Sequence, residues 1–209
     1  MNADPIDPVL QVKGLRFGWP GRPLFHDLSF DLPPGVSLVR GDDGSGKSSL
    51  LGLIAGALLP EAGTLSIQGV RLHEQHDAYR HRVFWIDPQT EAHDALAAGG
   101  YLESLSRHYP RFDNDTFNEL VDGFGLRPHL GKPMYMLSTG SRRKVWLTAA
   151  FSAGTPLTLI DQPFAALDAP SARFLRELLQ DASSHTSRAW LLADHEAPEG
   201  VLLTRKIEI

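Results

Sequence analysis

The strongest chemical signal in the chain is the run Gly41, Asp42, Asp43, Gly44, Ser45, Gly46, Lys47, Ser48, which fits the spacing G-x-x-x-x-G-K-[ST]. Glycines at these positions let the backbone curl tightly, so that successive N–H groups converge on an anion, and the positive end of a following helix adds to the attraction. A lysine at position 47 reaches the β- and γ-phosphates of a nucleotide, and a serine hydroxyl at 48 binds Mg²⁺. Gly41, Gly44, Ser45, Gly46, Lys47, Ser48 and the adjoining Ser49 form the expected phosphate-binding set. Asp43 puts a second carboxylate beside Asp42 in a loop that must hold an anion. Such a pairing is unfavourable unless Asp43 points to solvent or meets a donor from a second subunit.

Other residues offer compatible chemistry from separate parts of the chain. Asp161 ends the apolar run 157–160, which places a carboxylate at the C-terminal end of a buried strand, where ligands of open α/β sheets gather. There it would hold the water shell of a magnesium ion. Gln89 follows the apolar run 83–86 and Pro88; its amide would reach the metal or the attacking water, although a lone glutamine there fits a surface loop equally well. His195, beside Asp194 at the end of a third apolar run, would donate to the γ-phosphate. His73, His76 and His81 cluster in sequence, but without cysteines or carboxylates at a ligand spacing they read as exposed helix or loop.

These groups need a scaffold, and the pattern supplies one. Apolar or alternating runs at 9–15, 28–32, 36–39, 65–67, 83–86, 157–160 and 189–193 predict strands, with 201–209 an edge strand. Helical patterns cover 47–59, 95–108, 115–124, 141–152 and 170–183, and Asp113 and Asp115 are candidate N-caps. The order predicts an α/β core interrupted by a helical insertion. The 209 residues are 42% hydrophobic and 22% charged with a net charge of −5, as expected of a single globular domain. That balance argues against non-specific nucleic-acid binding. The one basic triplet, Arg142, Arg143 and Lys144, reads as a solvated helix face. The absence of cysteine excludes disulfides and thiolate metal sites and fits a reducing compartment. The polar stretch 1–8 has no signal-peptide hydrophobic region, and the longest apolar run, 50–59, is too short to span a bilayer and reads as a buried helix.

Taken in order, the motifs resemble those of the ATP-binding cassette family over nearly the whole chain. Leu137, Ser138, Thr139, Gly140 and Ser141 resemble its signature motif, Leu157 to Asp161 its Walker B strand, and Ala166-Leu167-Asp168 its D-loop. Gln89 resembles the Q-loop glutamine and His195 the switch histidine. Trp19 lies near the family's adenine-stacking aromatic, with Phe17 as its competitor. The resemblance implies a P-loop NTPase core with an antiparallel β subdomain and an inserted helical signature subdomain. Residues 1–89 and 137–209 would form the nucleotide-binding core and 90–136 the helical part. It further implies MgATP as ligand, a signature acting in trans across a head-to-tail dimer with the same or a different cassette, and a separate integral membrane permease. The chain would then lie in the cytoplasm, peripheral to the inner face of the membrane. Its shortness is similar to small bacterial exporter and haem-exporter ATPases. The segment after Gln89, within 90–105, is where the family meets its permease.

Two departures qualify the resemblance. Thr139 and Ser141 stand where the family has Gly and Gln, and Gln162 stands where it has a glutamate that polarises water. An amide orients water but cannot accept its proton, which predicts normal ATP binding with slow hydrolysis. A non-hydrolysing regulatory cassette beside an active partner is the alternative. A soluble cassette acting on ribosomes or DNA is a third reading, without the second cassette, basic arm or zinc modules it would usually need.

Overall fold

A computed structural model of the chain describes residues 7–209; the expectation for the polar N-terminal stretch 1–8 lies mostly outside them. Two sheets make the scaffold. The antiparallel sheet has the order β2-β1-β4-β5, from β1 (Leu10–Trp19), β2 (Arg22–Leu32), β4 (Ala62–Ile67) and β5 (Val70–Arg71). The other, parallel throughout, has the order β6-β7-β8-β3-β9, from β3 (Gly35–Arg40), β6 (Val83–Phe84), β7 (Leu157–Asp161), β8 (Ala189–Asp194) and β9 (Leu203–Glu208). This is the α/β P-loop NTPase architecture with an added antiparallel sheet.

Strand parity divides the interior into two cores. Leu157, Leu159, Leu191 and Ala193 face one side, where α1 (Lys47–Ile54) and the antiparallel sheet close over them. Ile160, Trp190, Leu192, Val36 and Leu38 face the other. There they meet α5 (Thr139–Ser152), α6 (Ala169–Ser183) and the helices of the insertion, α3 (Ala98–His108) and α4 (Asn114–Gly123). A parallel sheet covered on both faces is expected to be apolar on both, and β7 and β8 are but for the buried Thr158 and the terminal aspartates.

The insertion ends in two 3-10 turns, Arg127–His129 and Met134–Met136. The second is strapped to the loop before α3: Met134 N donates to Leu96 O at 2.9 Å and Tyr135 N to Asp94 O at 3.1 Å.

Several expectations need correction. The helix read over 47–59 stops at Ile54, because Gly56 takes the left-handed conformation (φ 70°) that ends helices, and Leu59 is left 77% exposed. The helix read over 95–108 begins at Ala98, and the strand read over 83–86 is two residues long. Asp113, not Asp115, caps α4, accepting from the N–H groups of Asp115 and Thr116. A short helix, α2 (His76–Arg80), was not expected.

The basic triplet is not a solvated face. Arg142 pairs with Asp94 at 3.1 Å, Arg143 Nη1 donates to Asp161 O at 2.7 Å, and Lys144 Nζ donates to Asp168 at 2.7 Å. Consecutive helical residues diverge by about 100° each, so the three side chains splay toward three different neighbours.

Candidate nucleotide site

The loop between β3 and α1 is built from tight geometry. Gly46 (φ 108°) is the N-cap of α1, and a Cβ there would meet the Phe25 ring at 3.1 Å. Gly44 (φ 73°) lies under Arg22, whose guanidinium donates to the Gly44 carbonyl at 2.6 Å. Lys47 is buried, and its Nζ donates to the carbonyls of Gly41 (2.6 Å) and Asp42 (2.9 Å), so the ammonium closes the loop from within. The Ser45 hydroxyl is buried with no hydrogen-bond partner among the described residues.

Parity explains why Asp161 arrives at this loop. It shares the face of β7 with Leu157 and Leu159, the face α1 covers, and Ser48 at the start of α1 donates its hydroxyl proton to Asp161 Oδ2. Burial pushes the Asp161 carboxyl above its ordinary range, while the Ser48 hydrogen bond and the nearby Arg143 and Lys47 charges draw it down. A hydroxyl and a carboxylate side by side are the hard oxygen donors that Mg²⁺ takes, so the donor set fits that ion.

Gln162 would point to the opposite face by parity. Its left-handed backbone (φ 45°) turns it back, fixed by its N–H donating to Ala193 O at 2.8 Å. A non-glycine residue held there is strained, and such strain gathers at functional positions.

Trp19, Gly44, Gly46, Lys47, Ser48, Ser49, Asp161 and Gln162 line one cavity of about 260 Å³, joined by Arg22, Leu24 and Asp43. Gln89 lines an adjoining cleft of about 630 Å³ with Trp19, Ser48, Asp161 and Gln162. Trp19 is 48% exposed and donates Nε1–H to Ser49 Oγ at 3.2 Å, whereas its competitor Phe17 is buried edge-on against it. His195 lines neither cavity; its Nε2 lies 3.1 Å from Asp43 Oδ1.

The signature residues and Asp168 stand apart from both cavities. Ser138 caps α5, accepting from Ser141 N at 3.1 Å, and Leu137 is buried. Gly140 lies against the D-loop, where a Cβ would come within 2.5 Å of Ala166 O. Asp168 caps α6 through Ser171 N, and its carboxyl is held far below the usual range by hydrogen bonds from Lys144 and Ser171. Among the described residues no group of three or more His, Asp or Glu is close enough to hold a metal, His73, His76 and His81 included.

The sequence reading missed Arg22, Leu24, Arg143 and Lys144. Arg22 had one signal, the Pro20-Gly21 turn that must bend β1 into β2 and bring its neighbours to one end of the sheet.

Comparison with known proteins agrees in kind. The family model described as "ABC transporter" matches residues 25–165. The chain is 33% identical over 194 residues to the cytochrome c biogenesis ATP-binding export protein CcmA of Pseudomonas syringae pv. syringae (strain B728a), covering 91% of this chain and 90% of that protein. It is 32% identical over 201 residues to the taurine import ATP-binding protein TauB of Pseudomonas syringae pv. tomato, covering 93% of this chain and 76% of that one. A solved structure titled as the ATP binding subunit of an ABC transporter superposes with a TM-score of 0.80 at 26% identity, over 90% of this chain and 79% of the other.

Proposed function

The chain belongs to the ABC transporter family as an ATP-binding subunit, and on that premise we propose that it binds MgATP, pairs with a second cassette and drives a separate membrane permease while hydrolysing ATP slowly. The observation that carries this reading is the meeting of Lys47, Ser48, Asp161 and Gln162 at one cavity. Among the described residues no helix is long and apolar enough to cross a membrane. A relative named as an export protein is matched over 90% of its length at 33% identity, which supports an export-type system.

Each residue then has a role. Trp19 stacks on the base. The loop N–H groups and Lys47 hold the phosphates, with Arg22 keeping the Gly44 carbonyl turned away from them. Ser48, Asp161 and Gln89 would hold Mg²⁺, which when bound would supply Lewis-acid stabilisation of phosphate charge. Gln162 orients the attacking water through its amide, and His195 donates to the terminal phosphate. Ser138 and Gly140 act on the nucleotide of the paired cassette. The permease docks at the cleft of about 230 Å³ between the core and the insertion, lined by Trp85, Ile86, Thr90, His93, His108 and Tyr109. That cleft begins the 90–105 segment singled out from the sequence.

Gln162 also supports a second reading, a cassette that clamps ATP as the regulatory half of a pair whose other member hydrolyses it. Steady-state hydrolysis separates the two. Restoring the carboxylate with Gln162→Glu should raise turnover about 10²- to 10⁴-fold, the worth of general-base participation. Equal, brisk rates in both forms would overturn the slow-hydrolysis reading. Recovery with an integral membrane protein on co-purification supports the permease, and recovery with ribosomes or nucleic acid opposes it.

A further inference from the structure

Asp43 sits inside the phosphate loop, lines the nucleotide cavity and is 92% exposed at its side chain. It is out of character for a loop that binds anions. Lys47 makes no ion pair with it; its ammonium donates to the carbonyls of Gly41 and Asp42. Nor does Arg22, whose Nη2 donates to Gly44 O. Among the described residues the one basic side chain within salt-bridge distance of Asp43 is His195, whose Nε2 lies 3.1 Å from Oδ1.

The backbone of His195 is pinned on two sides. Arg40 Nε donates to its carbonyl at 2.9 Å, and its own N–H donates to Asp194 Oδ1 at 2.8 Å. With its backbone fixed, the ring rests on Asp43, and Asp43 in turn lines the cavity that an anion would enter. We infer that Asp43 is a specificity-determining residue: it competes with the terminal phosphate of a nucleoside triphosphate for His195, so that the triphosphate is bound less tightly, relative to the diphosphate, than the loop alone would allow.

The inference rests on the nucleotide-driven reading above and adds a discriminating residue to it. Its size follows from charge at close range in a water-exposed site. Two unit charges about 4 Å apart in water interact by an amount equivalent to roughly a fivefold change in affinity. A diphosphate leaves the contact between Asp43 and His195 undisturbed, and so should be indifferent to it.

Titration of MgATP and MgADP into the wild-type chain, Asp43→Asn, His195→Ala and the double variant tests this. Asn is isosteric with Asp, and at so exposed a position the fold is not at stake. Asp43→Asn should tighten ATP about three- to tenfold and change ADP less than twofold, and the gain should at least halve when His195 is already Ala. A gain equal for ATP and ADP, a gain of the same size with and without His195, or no gain at all would each overturn the competition. A wild-type chain that binds neither nucleotide would instead overturn the nucleotide-driven reading itself.

Discussion

Arg143 Nη1 donates to the backbone carbonyl of Asp161 at 2.7 Å, so the helix that opens at Thr139 is hydrogen-bonded to the end of the strand that carries Asp161, the proposed magnesium ligand. Burial pulls the Arg143 guanidinium below its ordinary range, and the Asp161 and Asp194 charges partly restore it. A guanidinium stays charged in a protein interior, and the flanking carboxylates offset part of the cost of enclosing it. Arg143→Met would leave the Asp161 carbonyl without its donor and Asp161 without a compensating charge. It should cost about 1–3 kcal/mol of stability in urea unfolding, with Arg143→Lys falling between the two. An unfolding midpoint unmoved by Arg143→Met would show the bond to be incidental.

Contacts of this kind are not encoded by any local pattern in the sequence. The phosphate loop, the Walker B strand and the order of the motifs were legible because each is local: a spacing, an apolar run, a glycine before a helix. The two-sided sheet was legible from the apolar runs of β7 and β8. What joins distant segments was not. Arg143 meets Asp161 across 18 residues and His195 meets Asp43 across about 150, and no periodicity encodes either pairing. The triplet at 142–144 reads in sequence as a solvated helix face, yet three successive helical residues cannot share one face. The end of α1 was misread because apolar continuity through Leu59 outweighed the helix-stopping Gly56.

The neighbouring lysine predicts a pH dependence. Lys144 and Ser171 hold the Asp168 carboxyl far below the usual carboxylate range. A carboxyl whose folded-state value is depressed adds stability above its unfolded value, and that stability is lost as pH falls toward the folded one. Asp168→Asn keeps an acceptor for the N-cap but loses the ion pair. Above about pH 5 it should be less stable than wild type by under about 1 kcal/mol, since the Asp168 side chain is 55% exposed and salt screens the pair. The gap should close as the pH falls below about 4. Urea midpoints measured from pH 7 down to pH 3 at two salt concentrations check it. A constant gap across that range would remove the Lys144–Asp168 pair from the account.

Trp19 and Phe17 predict opposite phenotypes from rings that touch, with centroids 5.3 Å apart at 82°. Phe17 is 8% exposed and belongs to the core beneath the antiparallel sheet, so Phe17→Ala should cost about 3–5 kcal/mol of stability. Trp19 is tethered to Ser49 by a hydrogen bond at its indole nitrogen, leaving the ring as a wall of the nucleotide cavity. Trp19→Ala should therefore move the unfolding midpoint little but weaken ATP about three- to tenfold, the worth of one aromatic stack, with Trp19→Tyr recovering most of the loss. Because a base stacks whatever its phosphates, ADP should weaken by the same factor. That distinguishes the wall of the cavity from Asp43, whose effect is confined to the triphosphate. If Trp19→Ala weakened ATP and left ADP alone, the ring would be acting on the phosphates through Ser49 and not on the base.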